Sequence, residues 1–254
     1  MSAATSAPSP RSILAAAWPL FQVSWPGCLP LALLGVAASG SPQAAAIEAG
    51  EARGFVHGPQ WWGLTIATTV LVLICQGGVL LRQHALASGQ SLTPFEAMRR
   101  ATMRLPQSIG TSILLCAPSL LAMAFVGRDW RLVALFGTLA AGWLLWMAFA
   151  WPAALLEPCD PFDALRRAAA MTRGRLRPML LLELVAFSCV LVFVLLAGVL
   201  LGVVMSIAGM NGNAMGAGPL ALSRLLLAAL CALPVVWLGA VWVTAYRQLR
   251  AGQP

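Results

Sequence analysis

The chain predicts an all-α, polytopic membrane protein with six transmembrane helices and two or three amphipathic elbow helices in parallel repeats. Three observations carry that expectation. Only 9% of the residues are charged and 60% are hydrophobic, whereas a soluble domain carries about 25% charged residues. Apolar runs of about twenty residues recur, the length that crosses ~30 Å of hydrocarbon. The stretch Pro94-Phe95-Glu96-Ala97-Met98-Arg99-Arg100-Ala101 also returns in the same frame as Pro161-Phe162-Asp163-Ala164-Leu165-Arg166-Arg167-Ala168, each copy ahead of a long apolar run.

Met1 to Pro10 is polar and uncharged, unlike the basic start of a signal peptide, so the first span is expected to act as its own insertion signal. That span runs Trp25–Ser39, lengthened by the apolar stretch from Ile13. The others are expected at Trp61–Leu81, Ser108–Val126, Leu132–Trp151, Met179–Ile207 and Leu220–Tyr246. The fifth is long enough to require tilt or protrusion. Trp25, Trp61, Trp62, Trp130 and Trp151 mark span edges, as aromatic belts do. Gly35-x-x-x-Ser39 and Gly198-x-x-x-Gly202 are small-residue pairs of the kind that lets helices approach closely. Pro118, Pro152 and Pro234 are expected to kink or end their helices. Met210–Gly218 reads as an outer loop. The whole, residues 1–254, forms one membrane domain with repeat units near 9–83, 93–151 and 160–246.

The elbows have helix-start chemistry. Thr93-Pro94-Phe95-Glu96 is a capping box: Thr93 caps, Pro94 fits the first position and Glu96 reaches back. Asp160-Pro161-Phe162-Asp163 repeats it with another cap. Phe95, Met98 and Leu105 fall largely opposite Arg99, Arg100 and Arg104. In the second copy Phe162, Leu165 and Ala169 oppose Arg166, Arg167 and Arg173. Such helices suit a membrane interface, with arginines among phosphates. Ser9-Pro10-Arg11-Ser12-Ile13-Leu14 is a degenerate third start without the Arg pair.

All 16 basic residues are arginine, and the net charge is +8. Twelve of them (Arg11, Arg82, Arg99, Arg100, Arg104, Arg166, Arg167, Arg173, Arg175, Arg177, Arg247, Arg250) fall on one predicted side, against Arg53, Arg128, Arg131 and Arg224 on the other. The positive-inside rule then places both termini and both elbows in the cytoplasm. Because these arginines adjoin spans, they favour anionic headgroups over nucleic acid.

Little in the chain carries catalytic chemistry. No nucleophile-elbow, zinc-protease, phosphate-loop or dinucleotide pattern occurs. His57 and His84 are expected in loops on opposite sides, which argues against a metal site. Of the six cysteines, Cys28, Cys75, Cys116, Cys189 and Cys231 lie in apolar runs and Cys159 in a loop; none forms a C-x-x-C pair. They read as small buried hydrophobes, and no cofactor is expected. Two intramembrane polar residues remain as candidates. Glu183, about 7 Å beyond Pro178 along the helix, is either a proton or cation site or the ion-pair partner of Arg82 or Arg104. Gln76, before Gly77 and Gly78, either lines a substrate cavity or bonds a neighbouring helix. The arginines Arg99, Arg100, Arg166 and Arg167 are candidates for lipid phosphate or an acidic partner, and equally for topology and anchoring.

The run Pro161 to Arg167, continuing through Met171-Thr172-Arg173-Gly174-Arg175, resembles a motif of uncharacterised six-span bacterial inner-membrane proteins. These include the YciC-like group and the membrane domain beside glycerophosphodiester phosphodiesterases. Tyr246-Arg247-Gln248-Leu249-Arg250 is similar to that family's C-terminal end. The first elbow departs from the motif where Leu105-Pro106-Gln107 stands in place of Thr172-Arg173-Gly174. The resemblance implies the six-span architecture of a multi-pass inner-membrane protein and no particular activity. The leading expectation is a non-enzymatic bacterial inner-membrane protein that interacts with anionic glycerolipids, or organises a membrane complex, through its elbows. The rival is a permease for a small apolar or lipidic substrate, in which Gln76 and Glu183 line one water-accessible cavity.

Overall fold

A computed structural model describes residues 9–48, 58–125, 130–207 and 217–251. Among the described residues the structure is helical, with α1 (Pro10–Glu48), α2 (Pro59–Ala87), α3 (Pro94–Met103), α4 (Leu105–Ala124), α5 (Trp130–Trp146), α6 (Ala150–Leu156), α7 (Pro161–Thr172), α8 (Leu176–Ile207) and α9 (Ala217–Ala251). Among the described residues five segments are long and apolar enough to cross a membrane: Pro10–Gly40, Pro59–Ala87, Trp130–Leu156, Leu176–Val204 and Leu226–Ala251. Leu105–Leu121 is a shorter apolar helix. The expected outer loop at Met210–Gly218 and the positions of Arg53, His57 and Arg128 lie mostly or wholly outside the described residues.

Helix starts follow the local chemistry. Ser9 accepts the Ser12 amide at 3.2 Å, with Pro10 in the first turn. No cap, glycine or polar run then interrupts Ile13 to Trp25, so the expected separate first elbow is instead the opening of α1. At 39 residues, α1 is about 58 Å long. α2 continues past the expected Leu81 and carries Arg82, Gln83 and His84, correcting the placement of His84 in a loop. It stops at Gly89, whose φ of 74° suits a residue without Cβ. The Gln90 amide reaches back to the Ala85 carbonyl and the Gly89 amide to that of Leu86, forming a Schellman end.

The fourth span is the main departure from a straight crossing. It breaks between α5 and α6, where the Ala150 amide turns to the Met147 carbonyl at 2.8 Å. Pro152 has no amide to give to Ala148, and the carbonyl of Trp146 loses its usual helical donor. Thr172, the last residue of α7, supplies the hydroxyl that satisfies it at 2.8 Å. α6 is consequently buried along most of its length. Trp151 lies inside, not at an edge, with its indole donating to the Ser108 hydroxyl at 2.8 Å. Pro118 and Pro234 stay within α4 and α9 without ending them.

The core lies toward the elbow end. Ile13 and Ala17 of α1 pack with α6, α7, Met179 and Leu182 of α8, and the last turns of α9. A second cluster joins Cys28, Leu31 and Ala32 to Val79 and Val236. Close approach of α2 to its neighbours relies on Gly77 and Gly78. A Cβ there would stand 3.3 Å from Ala101 and 3.5 Å from the Met98 amide, respectively. Gly35 likewise lets α1 approach Cys75. Gly198 and Gly202 do not perform that role, since a Cβ added at either would meet nothing within 4 Å. Cys28 and Cys75 are buried, whereas Cys116 and Cys189 are exposed on the apolar outer surface of the bundle.

Both elbows bury the same frame positions, Ala97 with Ala101 and Ala164 with Ala168. Phe95 and Phe162 face outward instead, at 76% and 64% exposure. The expected single apolar face is therefore split: small residues meet the bundle and the phenylalanines leave it. The Thr93 amide and hydroxyl donate to the Glu96 carboxylate at 3.0 and 2.9 Å, holding Glu96 below the usual carboxylate range. A depressed folded pKa stabilises the α3 start above the unfolded value, and that contribution disappears as pH falls through the folded one. Acidification through this window should accelerate hydrogen exchange of the Glu96 amide, which donates to Thr93. Replacing Glu96 by Gln should make that exchange insensitive to pH over the same interval, beyond the intrinsic chemical dependence.

Candidate functional site

Two polar sites emerge from this packing. The first centres on Glu157, which follows α6 and is 6% exposed. A carboxylate this buried needs compensating donors. Tyr246 donates its hydroxyl to one oxygen, Arg167 donates to the other, and Arg250 approaches at 2.8 Å. Tyr246 and Arg250 are four residues apart on α9 and so share a face. The C-terminal end and the second elbow thus converge on one acid. Cys159 sits beside this group; burial raises its thiol pKa above the ordinary value despite Arg167 nearby, so it stays protonated and weakly nucleophilic.

This arrangement separates the four elbow arginines. Arg166 is exposed, with a loose 3.7 Å contact to Asp163. Arg99 and Arg100 are exposed, and their guanidinium groups make no hydrogen bond or ion pair among the described residues. Arg167 is committed to Glu157. Asp160 caps α7, its carboxylate accepting the Asp163 amide at 2.7 Å. Arg104 donates to the Leu155 carbonyl, closing the end of α6.

The second site brings Gln76 and Glu183 together. Both line a cavity of about 480 Å³ between α2, α4, α5, α6, α8 and α9. Ser112, Trp151 and Trp242 supply its other polar atoms, and the Trp242 indole lies against Glu183. The expected ion pair of Glu183 with Arg82 or Arg104 is not formed. Arg82 donates to the carbonyls of Leu92 and Ser24, each at 3.0 Å, and Arg104 serves Leu155. Beside Arg82, the Gln83 amide donates to the Val236 carbonyl at 2.8 Å and bonds Ser24, stitching α2 to α9 and α1.

No family model, curated protein or solved structure matches the chain. Sequence reasoning placed the elbow arginines, Gln76 and Glu183 as candidates but passed over Glu157, Tyr246 and Arg250 as a group. Two signals were present. Glu157 stands ten residues before Arg167, and Tyr246 and Arg250 have same-face spacing.

The Glu157 group should respond asymmetrically to mutation. Replacing Arg167 and Arg250 together by Gln strands a buried carboxylate and should cost about 3–5 kcal/mol. Glu157→Gln keeps an acceptor for Tyr246 and releases two part-exposed guanidinium groups to solvent, so it should cost less than about 2 kcal/mol. Thermal unfolding in one detergent compares the variants directly; equal losses would contradict the role of Glu157 as the constrained partner.

Proposed function

We propose that the chain is a non-enzymatic, multi-pass protein of the bacterial inner membrane that binds anionic glycerolipids through its elbow helices, with both termini and both elbows cytoplasmic. The observation that carries this reading is the matched presentation of Phe95 with Arg99 and Phe162 with Arg166. Each pair lies one helical turn apart, exposed on a helix whose opposite Ala positions are buried. An exposed aromatic beside an unpaired or loosely paired arginine fits the boundary between acyl chains and phosphates. The twelve-to-four arginine asymmetry supports the orientation, and the duplicated elbow frame supports parallel repeat units. Organisation of a membrane complex through the same elbows is compatible with this reading.

The test substitutes Arg99, Arg100 and Arg166 by Gln and spares Arg167, which holds Glu157. Native mass spectrometry of protein released from nanodiscs should show anionic lipid on the wild type and its loss from the variant. Equal lipid retention by both would sink the elbow reading.

A permease for a small apolar or lipidic substrate is the second reading, favoured by the shared cavity of Gln76 and Glu183. It predicts that single cysteines at these positions, in an otherwise cysteine-free background, both react with a membrane-impermeant aqueous thiol reagent. Added apolar substrate should protect both. Failure of either cysteine to react in the folded protein would count against an aqueous transport path.

A further inference from the structure

The matched elbow frame contains an electrostatic asymmetry. Ten residues before Arg167 stands Glu157, its ion-pair partner. Ten residues before Arg100 the chain has Gln90, which carries no charge. The first elbow therefore has the guanidinium of the second without its carboxylate.

Around that position a cleft of about 470 Å³ opens between the end of α2, the following loop and α3. His84, Ser88, Gln90, Arg100 and Arg104 form its polar wall, and no acid among the described residues lines it. The one acid on α3, Glu96, is held by the Thr93 box. Arg104 gives an N–H to the Leu155 carbonyl, but a guanidinium has five donors. His84 Nδ1 is buried without a hydrogen-bond partner. Arg104, Arg247 and Arg250 act electrostatically on this imidazole, with Glu157 as the opposing charge. Ser88 donates its hydroxyl to the His84 carbonyl at 3.0 Å, fixing the loop that carries Gln90.

We propose that this cleft binds a phosphate monoester or diester, in the place that the second elbow fills with its own Glu157 carboxylate. A phosphate brings oxygens that accept from the forked donors of Arg100 and Arg104 and from the Gln90 amide. Exposed Met103, at the cleft wall, gives an attached apolar chain a surface to follow. A lipid headgroup and a small soluble phosphate ester present the same chemistry. The lipid source rests on the anionic-lipid reading, whereas the cleft does not.

The experiment uses the full chain in two settings. Nanodiscs of phosphatidylcholine containing phosphatidylglycerol provide the lipid arm, read by native mass spectrometry. Protein in neutral detergent, titrated with glycerol 3-phosphate and with inorganic phosphate, provides the soluble arm. Arg100→Gln removes the cation, and Gln90→Glu supplies the missing carboxylate from within. The double variant Arg99→Gln/Arg166→Gln alters only arginines outside the cleft, and unfolding midpoints check that every variant is folded.

Loss of Arg100 or addition of the acid should each weaken phosphate-ester binding by roughly 10- to 100-fold, while the double variant keeps its glycerol 3-phosphate affinity close to wild type; its phosphatidylglycerol retention reads the elbow surface instead. Because Gln90→Glu keeps a full side chain and adds an ion pair, its loss of binding is not a folding defect. If the double variant strips phosphatidylglycerol while both cleft variants keep it, the elbow reading stands and the cleft is overturned. Binding of glycerol 3-phosphate that depends on Arg100, with no lipid retained, upholds the cleft and rejects the lipid reading. Wild-type protein that binds neither probe overturns both.

Discussion

Burial of the Glu157 carboxylate constrains the elbow end more than any other single interaction. An acid removed from solvent at the end of a short helix must receive donors from elsewhere, and here they come from α7 and the last turns of α9. The break between α5 and α6 is part of the same solution, because it turns α6 inward and sets Glu157 beneath the elbow. The two ends of α6 leave backbone acceptors open, and distant side chains cover one at each: Thr172 takes the Trp146 carbonyl at the break and Arg104 that of Leu155 at the far end. A polar lattice therefore closes one end of an otherwise apolar bundle.

Away from that end the helices are held mainly by apolar contact. α8 and the α4–α5 hairpin expose Leu, Phe and Val along much of their length. In water such a surface would be an aggregation hazard; beside lipid it is simply the outer face of membrane-spanning helices. Among the described residues the hydrogen-bonded ion pairs gather on Glu157, where α7 and the last turn of α9 meet the end of α6.

Much of this was legible in the sequence, and the remainder failed for identifiable reasons. Hydropathy located the long helices, and Thr93, Pro94 and Glu96 gave the α3 start because a capping box is chemistry within four residues. A common cavity for Gln76 and Glu183 was expected only under the permease reading, and the two residues do line one cavity. Pro152 was expected to kink or end its helix; the break falls just ahead of it, between Trp146 and Ala150, and Pro152 itself lies within α6. The Trp146 carbonyl is freed where the Ala150 amide turns to Met147, and its replacement donor, Thr172, is far away in sequence. Glu183 was assigned an arginine that proved occupied, since Arg82 is drawn to the backbone of α1 and of the loop before α3. The split elbow face arose because alanine, with little hydrophobic signal, was the residue that allowed close packing.

Duplication of a sequence frame does not duplicate its electrostatics. The two elbows share caps, buried alanines and paired arginines, but a single difference, Gln90 against Glu157, changes what the second arginine of each pair can do. In one elbow the guanidinium neutralises an internal acid and becomes part of the fold. In the other it remains available beside a cleft, with the helix geometry already secured by Ala97, Ala101 and the paired glycines of α2. An arginine committed to the fold and one left without an ion-pair partner thus differ here by the nearest anion rather than by their own sequence context. Local motif resemblance identifies both residues, whereas their division of labour follows only from the charge placed ten residues earlier.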